Sequence, residues 1–181
     1  MFELIKQYKP FLIFLLGFFG SYLILVGLYK VYLSQYDVSK FEPDGMTTVV
    51  SEQANWLTNL FGERSRIEQS ALEPAYNAFI NQKQVARIIE GCNALSVMIL
   101  FSSFIIGFRG PIKNTLWYIL FGVFLIHIFN VLRISLITLG LFYFPEHRKL
   151  LHDYLFPLFI YGVVFLLWLL WVNKFSYHAK K

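Results

Sequence analysis

The run NTLWYILFGVFLIHIFNVL, from Asn114 to Leu132, contains no charged residue. A helix needs about 20 mostly apolar residues to cross the hydrocarbon core of a bilayer. Three further charge-free runs lie at 11–29, 91–108 and 154–173. Because a chain in lipid must satisfy its backbone hydrogen bonds within each span, the sequence predicts an all-α integral membrane protein, a bundle of about four transmembrane helices.

The overall composition supports a membrane location. Hydrophobic residues make up 57% and charged residues 15% of the 181 residues, whereas soluble domains have about 25% charged residues. The net charge of +5 is compatible with a nucleic-acid partner, but Lys and Arg lie at the ends of the apolar runs and form no basic stripe. We therefore expect one membrane domain over 1–181, with a lipid bilayer and no nucleic acid as partner.

Basic residues predict the topology, because short loops rich in Lys and Arg stay in the cytoplasm. In a four-span protein, the following all fall on one side: Lys6, Lys9, Arg109, Lys113, Lys174, Lys180 and Lys181. Both termini are therefore predicted to be cytoplasmic, in a bacterial-type inner membrane, and segment 30–90 to be extracytoplasmic. The third span is predicted over 114–133, and residues 134–144 either extend it or form a separate interfacial segment.

Helical spacing of apolar residues recurs within segment 30–90. It covers Val49 to Phe61 and predicts an amphipathic helix. A second pattern, formed by Val85, Ile88 and Ile89, predicts a helix that continues into the second span. Pro43, Asp44 and Gly45 mark a turn, and the segment is predicted to be amphipathic-helical, lying on the membrane or capping the bundle.

Three chemically reactive residues are predicted at one membrane depth. Cys92 opens the second span, and His152 precedes the fourth. Arg133 lies about 28 Å along the third helix from Asn114. With the predicted topology, a thiol, a guanidinium and an imidazole all reach the extracytoplasmic boundary.

These three groups suit acyl transfer. A cation beside a cysteine favours the thiolate, which is the nucleophile. Arginine keeps its proton and can hold an oxyanion or a carbonyl oxygen. Histidine titrates near neutral pH, so it can accept the thiol proton and later donate it to a leaving amine.

Each residue also has a purely structural explanation. Cys92 can act as small, soft packing in an apolar helix, and Arg133 can extend to the interface. His127 and Asn130, within the third span, can hydrogen-bond a neighbouring helix. This gives an alternative function: a non-enzymatic membrane assembly or transport subunit that uses intramembrane polar residues.

Acidic neighbours and metals have weaker support. Glu90 and Asp153 can orient Arg133 or His152, although successive residues of a helix point apart. One cysteine excludes an intramolecular disulfide, and no two histidines have the spacing of a zinc site on one helix. We expect no cofactor and no metal.

The segments Gly91-Cys92-Asn93-Ala94-Leu95 and Asn130-Val131-Leu132-Arg133-Ile134, followed by His152, resemble the exosortase/archaeosortase family, in particular its short exosortase F type. The resemblance implies a membrane cysteine transpeptidase that cleaves the C-terminal sorting signal of a surface or exported protein. It implies Cys92 as nucleophile with Arg133 and His152 as catalytic partners. The candidate supporting residues are Asn130, Asn93 and Glu90.

This chain departs from the family pattern in two respects. Many relatives have more spans, and many have glycine at the position of Ala94.

Overall fold

The structure is a computed structural model that describes residues 2–176. This region contains five α-helices and a three-stranded antiparallel sheet. The elements follow the order α1 (Phe2–Leu33), α2 (Gly45–Leu60), β1 (Ser65–Gln69), β2 (Ala75–Ile80), β3 (Lys83–Ile89), α3 (Leu95–Gly107), α4 (Ile112–Tyr143) and α5 (Phe156–Leu170). Two residues of the predicted cytoplasmic tail, Lys180 and Lys181, lie outside the described residues.

Three helical stretches are long and apolar enough, by length and composition, to cross a membrane: Gln7–Leu33, Ile112–Tyr143 and Leu150–Phe175. The prediction of a mainly helical membrane protein is confirmed at this level. The 32 residues of α4 correspond to roughly 48 Å of helix. Residues 134–143 therefore continue the helix of the third predicted span and form no separate element.

The helix at the second predicted span is shorter than expected. α3 has 13 residues, or roughly 20 Å of helix, against a hydrocarbon core of about 30 Å. It begins late because Glu90–Cys92 form a 3₁₀ turn and Ala94 has a positive φ of 61°. The prediction of a continuous helix over 91–108 is therefore wrong at its start, and the role of α3 as the second membrane span stays a prediction.

Segment 30–90 is helical only in part. Its predicted amphipathic helix is α2, where Asp44 accepts hydrogen bonds from the backbone N–H groups of Met46 and Thr47. The prediction of helix at Val85, Ile88 and Ile89 is wrong, because these residues belong to β3 in the sheet β1-β2-β3. The all-α prediction therefore fails for residues 65–89.

A tight hairpin accounts for this sheet. Ile80 pairs with Lys83, and the intervening Asn81 and Gln82 have φ values of 48° and 69°. Positive φ at both central residues is the geometry of a type I′ turn, whose twist matches that of the flanking strands. In the paired β3, Val85, Ala86 and Ile88 are buried against α2 and α4, and Ile89 is exposed.

The described chain divides into two compact units. The first contains residues 2–32, 96–125 and 163–176, and all its secondary structure is helical. The second contains Leu33–Leu95 and Ile126–Gly162, and includes the sheet. The apolar core of the second unit joins all three element types, with Val50 and Ala54 from α2, Ile80 and Ile88 from the sheet, and Ile134 from α4.

Candidate active site

A cavity of about 810 Å³ lies in the second unit. Cys92, Arg133 and His152 all line it. These are the three residues that the sequence predicts as catalytic. They reach the cavity from separate parts of the chain: the turn after β3, the middle of α4, and the π-helical turn Leu150–Leu155 before α5.

The loop that carries Cys92 is held by Asn93, which is 1% exposed. Its Oδ1 accepts a hydrogen bond of 2.9 Å from the backbone N–H of Leu95. Its amide nitrogen donates to Asp44 Oδ1 and Thr47 Oγ1, both at 3.3 Å. Asn93 therefore ties the Cys92 loop to the start of α2 and to the start of α3, and its role is to position the loop.

Asn130 provides a second anchor for the same loop. Its amide nitrogen donates a 2.7 Å hydrogen bond to the backbone carbonyl of Cys92, and its side chain is fully buried. Because Arg133 follows Asn130 by three residues on α4, both project from the same side of that helix. One helical turn therefore fixes the cysteine loop and supplies the nearby cation.

Arg133 is half-buried and lies within electrostatic range of Cys92 and Tyr161. Its Nε atom is buried without a hydrogen-bond partner among residues 2–176. In the same region of the chain, no carboxylate forms an ion pair with Arg133. A guanidinium at a cavity wall that has no carboxylate partner can hold an incoming oxygen anion.

His152 is exposed, and its Nδ1 lies 2.9 Å from Asp153 Oδ1. A carboxylate can only accept a hydrogen bond, so Nδ1 carries the proton and Nε2 remains available as a base. Asp153 also lines the cavity. The expectation that neighbouring residues point apart is wrong for this pair, which lies on a π-helical turn.

Three further basic residues at the cavity were not predicted from the sequence: Arg87, Arg148 and Lys149. The available signal was the charged segment EHRKLLHD, from Glu146 to Asp153. A basic segment in an external loop is ordinarily solvent-exposed, and only the fold places it beside β3. The predicted supporting residue Glu90 is exposed, and it is not part of the cavity lining.

No family model, curated protein or solved structure matches this chain. The likeness to exosortases therefore rests on residues 91–95, residues 130–134 and His152. Among residues 2–176, no three His, Cys, Asp or Glu side chains form a group that could hold a metal ion. The described cavity offers one thiol, one imidazole and several cations as its reactive groups.

Proposed function

We propose that the protein is a membrane-embedded cysteine transpeptidase or protease of the exosortase kind. Its substrate is the C-terminal sorting signal of a surface or exported protein, which it cleaves next to the substrate's membrane anchor. The observation that supports this proposal is the meeting of Cys92, Arg133 and His152 at one cavity. Nucleophilic catalysis requires a nucleophile, a base and a group that stabilises the oxyanion within reach of one substrate.

The first step forms an acyl-enzyme. His152 Nε2 takes the proton of the Cys92 thiol, and the sulfur attacks the carbonyl carbon of the scissile peptide bond. The oxygen of the tetrahedral intermediate becomes negative, and the Arg133 guanidinium stabilises that charge. The C–N bond then breaks, His152 returns the proton to the leaving amine, and a thioester remains on Cys92.

The second step releases the acyl group. An amine or a water molecule attacks the thioester carbonyl, and His152 accepts the proton of the attacking group. The carbon–sulfur bond breaks and the thiol of Cys92 is restored. Transfer to an amine attaches the client to a new anchor, and transfer to water releases it.

The proposed setting is the cytoplasmic membrane, with α3 as a fourth span beside the three long helices, so that both termini lie inside and the cavity faces outward. Three helices suited to crossing a membrane support membrane residence. The basic residues at the span ends favour this orientation because short basic loops stay in the cytoplasm. A membrane anchor on the substrate would then lie in the same bilayer as the enzyme.

Labelling of intact cells with a membrane-impermeant thiol reagent tests this proposal. Cys92 is the one cysteine of the sequence, so labelling reports on that residue alone. We expect fast labelling at neutral pH in the parent and slower labelling in Arg133→Ala and His152→Ala. Arg133→Ala should approach the parent rate at alkaline pH, where a thiol ionises without help.

His147→Ala is the matched control, because His147 also pairs with a neighbouring carboxylate but does not line the cavity. Its labelling rate should equal that of the parent. Equal labelling in all four proteins at every pH would contradict activation of Cys92 by Arg133 and His152. Absence of labelling in cells and in detergent would contradict an accessible nucleophile and favour the non-enzymatic alternative.

A further inference from the structure

β3 is an edge strand with one side unpaired. The sheet has the order β1-β2-β3, and within residues 2–176 β3 pairs with β2 alone. The strand contains Lys83 to Ile89. Backbone N–H and C=O groups along a free edge can pair with another extended chain.

The cavity follows this free edge. Four consecutive residues of β3, Ala86 to Ile89, line it. Successive side chains of a strand point to opposite faces of the sheet, and here Ala86 and Ile88 are buried while Arg87 and Ile89 are exposed. Contact with residues whose side chains point to both faces favours a position along the edge, where the backbone groups of all four lie.

The same edge leads directly to the cysteine. Gly91 and Cys92 follow β3 in sequence and also line the cavity. The four lining residues of β3 extend over about 13 Å, since a strand rises about 3.3 Å per residue. A peptide paired with this edge would pass from β3 to Cys92 in an extended conformation, with its peptide bonds accessible to the sulfur.

The charge of the cavity selects the kind of peptide. Its lining contains four cationic side chains, Arg87, Arg133, Arg148 and Lys149, and two carboxylates, Glu146 and Asp153. Each carboxylate contacts a neighbouring histidine, and Arg87 forms an ion pair of 2.6 Å with Glu73. Within residues 2–176, Arg148 and Lys149 have no ion-pair partner. An acidic peptide therefore complements this surface.

We propose that the substrate binds as a fourth strand on the free edge of β3, with acidic side chains directed to Arg148 and Lys149. Strand addition of this kind obtains affinity from main-chain hydrogen bonds and specificity from side-chain contacts. The inference rests on the proposed function in one respect: the added strand is the extended segment that precedes the client's membrane anchor.

Binding of a synthetic peptide tests strand addition. The probe is a fluorescent eight-residue peptide of alternating threonine and glutamate, and the protein is full-length Cys92→Ala in lipid nanodiscs. Alternate residues of a strand direct their N–H groups to opposite edges. N-methylation of every threonine therefore blocks one edge, and N-methylation of every glutamate blocks the other.

We expect one methylated peptide to bind about tenfold or more weakly than the parent peptide, since several hydrogen bonds are lost together. The other should bind like the parent peptide. An equal effect of both methylation patterns would overturn strand addition, because docking through side chains does not distinguish the edges. Failure of the unmethylated peptide to bind at about 1 mM would overturn it as well.

Separate variants test the contribution of charge to peptide binding. In Arg148→Gln/Lys149→Gln, the preference for the glutamate peptide over its glutamine analogue should disappear. Lys83→Gln is the matched control, because Lys83 is an exposed residue of β3 outside the cavity lining, and it should retain the preference. If the double variant also retained it, the assignment of Arg148 and Lys149 would be wrong.

These measurements separate the inference from the proposed function. Binding in Cys92→Ala requires no chemistry, whereas thiol labelling requires no peptide. Edge-selective binding together with an unreactive Cys92 would leave a peptide-binding protein without peptidase activity. A reactive Cys92 with no edge selectivity would leave the peptidase and overturn the added strand.

Discussion

The two compact units differ in what holds them together. The first unit is packed by aromatic rings: the centroids of Phe104 and Trp168 lie 4.3 Å apart, and those of Phe14 and Phe108 lie 4.5 Å apart. Its clearest long-range polar contact is the 2.6 Å hydrogen bond from Tyr118 to the carbonyl of Leu167. Rings and glycines that pack closely need few polar partners, which suits helices in lipid.

The second unit relies on buried polar contacts. Besides Asn93 and Asn130, Ser135 of α4 donates a 2.9 Å hydrogen bond to the carbonyl of Ala54 in α2. Each contact joins segments far apart in sequence, and two of them hold the cysteine loop. We therefore expect substitutions in the first unit to change stability alone, and substitutions of these polar residues to change stability and the reactivity of Cys92 together.

Gly122→Ala should give the largest loss of stability in the first unit. A Cβ at this position would overlap the ring of Phe101, and Phe101 is fully buried. Overpacking of this kind typically costs about 1–3 kcal/mol. Thermal unfolding of the purified chain in detergent measures the loss, and Cys92 labelling of the folded protein should equal that of the parent.

Gly20→Ala is the control, because nothing lies within 4 Å of a Cβ built there. It should gain up to about 1 kcal/mol, since alanine favours a helix more than glycine does. Equal unfolding temperatures for the two variants would contradict the close packing of Gly122. Altered labelling of Cys92 in folded Gly122→Ala would contradict the expectation that substitutions in the first unit change stability alone.

Asn130→Leu should cost slightly less stability but affect the site directly. It removes the hydrogen bond to the Cys92 carbonyl, and an unsatisfied buried carbonyl costs about 1–3 kcal/mol. The Cys92 loop loses an anchor, so labelling should slow even at temperatures where the protein is folded. Asn114→Leu, an exposed position on the same helix, should leave stability and labelling near parent values.

If Asn130→Leu lowered stability without changing the labelling rate, Asn130 would be a structural residue only. The buried polar contacts of the second unit would then stabilise it without affecting the reactivity of Cys92. If Asn130→Leu and Asn114→Leu behaved alike in both measurements, the hydrogen bond from Asn130 to the Cys92 carbonyl would contribute neither to stability nor to the labelling rate.

Replacement of Ala94 by glycine should change stability less, because it relieves backbone strain. The φ of 61° at Ala94 lies in the left-handed region, which costs a non-glycine residue about 1–2 kcal/mol. Ala94→Gly relieves that strain but loses a buried methyl and adds unfolded-state entropy, so the net change should stay below about 1 kcal/mol. Ala54→Gly, in the middle of α2, should instead lose about 1–2 kcal/mol. Chemical denaturation compares the two, and equal losses would contradict the strained turn.

The sequence predicted the long helices because a bilayer imposes a length and a composition on each span. The charge-free runs 11–29, 114–132 and 154–173 fall within α1, α4 and the stretch Leu150–Phe175. The structure also brings Cys92, Arg133 and His152 to one cavity, whereas their common membrane depth and their catalytic roles stay predictions.

The sheet could not be predicted from the spacing of apolar residues. Val85, Ile88 and Ile89 satisfy a helical spacing, and a short apolar segment does not distinguish helix from strand by periodicity alone. The turn Asn81-Gln82 lacks the glycine that usually marks a type I′ hairpin. Arg148 and Lys149 reach the cavity only because the fold brings residues 146–153 next to β3, and this proximity has no signal in the local sequence.

The smallest expected effect is a pH dependence of stability that distinguishes the second unit from the first. Every acidic residue except Glu3 lies in the second unit, so acid should destabilise that unit first. The pKa of Asp37 is lowered below its ordinary value of 3.8, mainly by a hydrogen bond from the Ser39 hydroxyl and then by Lys40. A carboxylate with a lowered pKa stabilises the fold above its ordinary pKa, and that contribution disappears as pH falls through the folded-state pKa.

Asp37→Asn should therefore be slightly less stable than the parent at neutral pH, with the difference shrinking below pH 3.8. Denaturation at a series of pH values measures it, with Glu52→Gln on α2 as the control. A difference that persisted unchanged in acid would show that Asp37 acts through its shape and not through its charge.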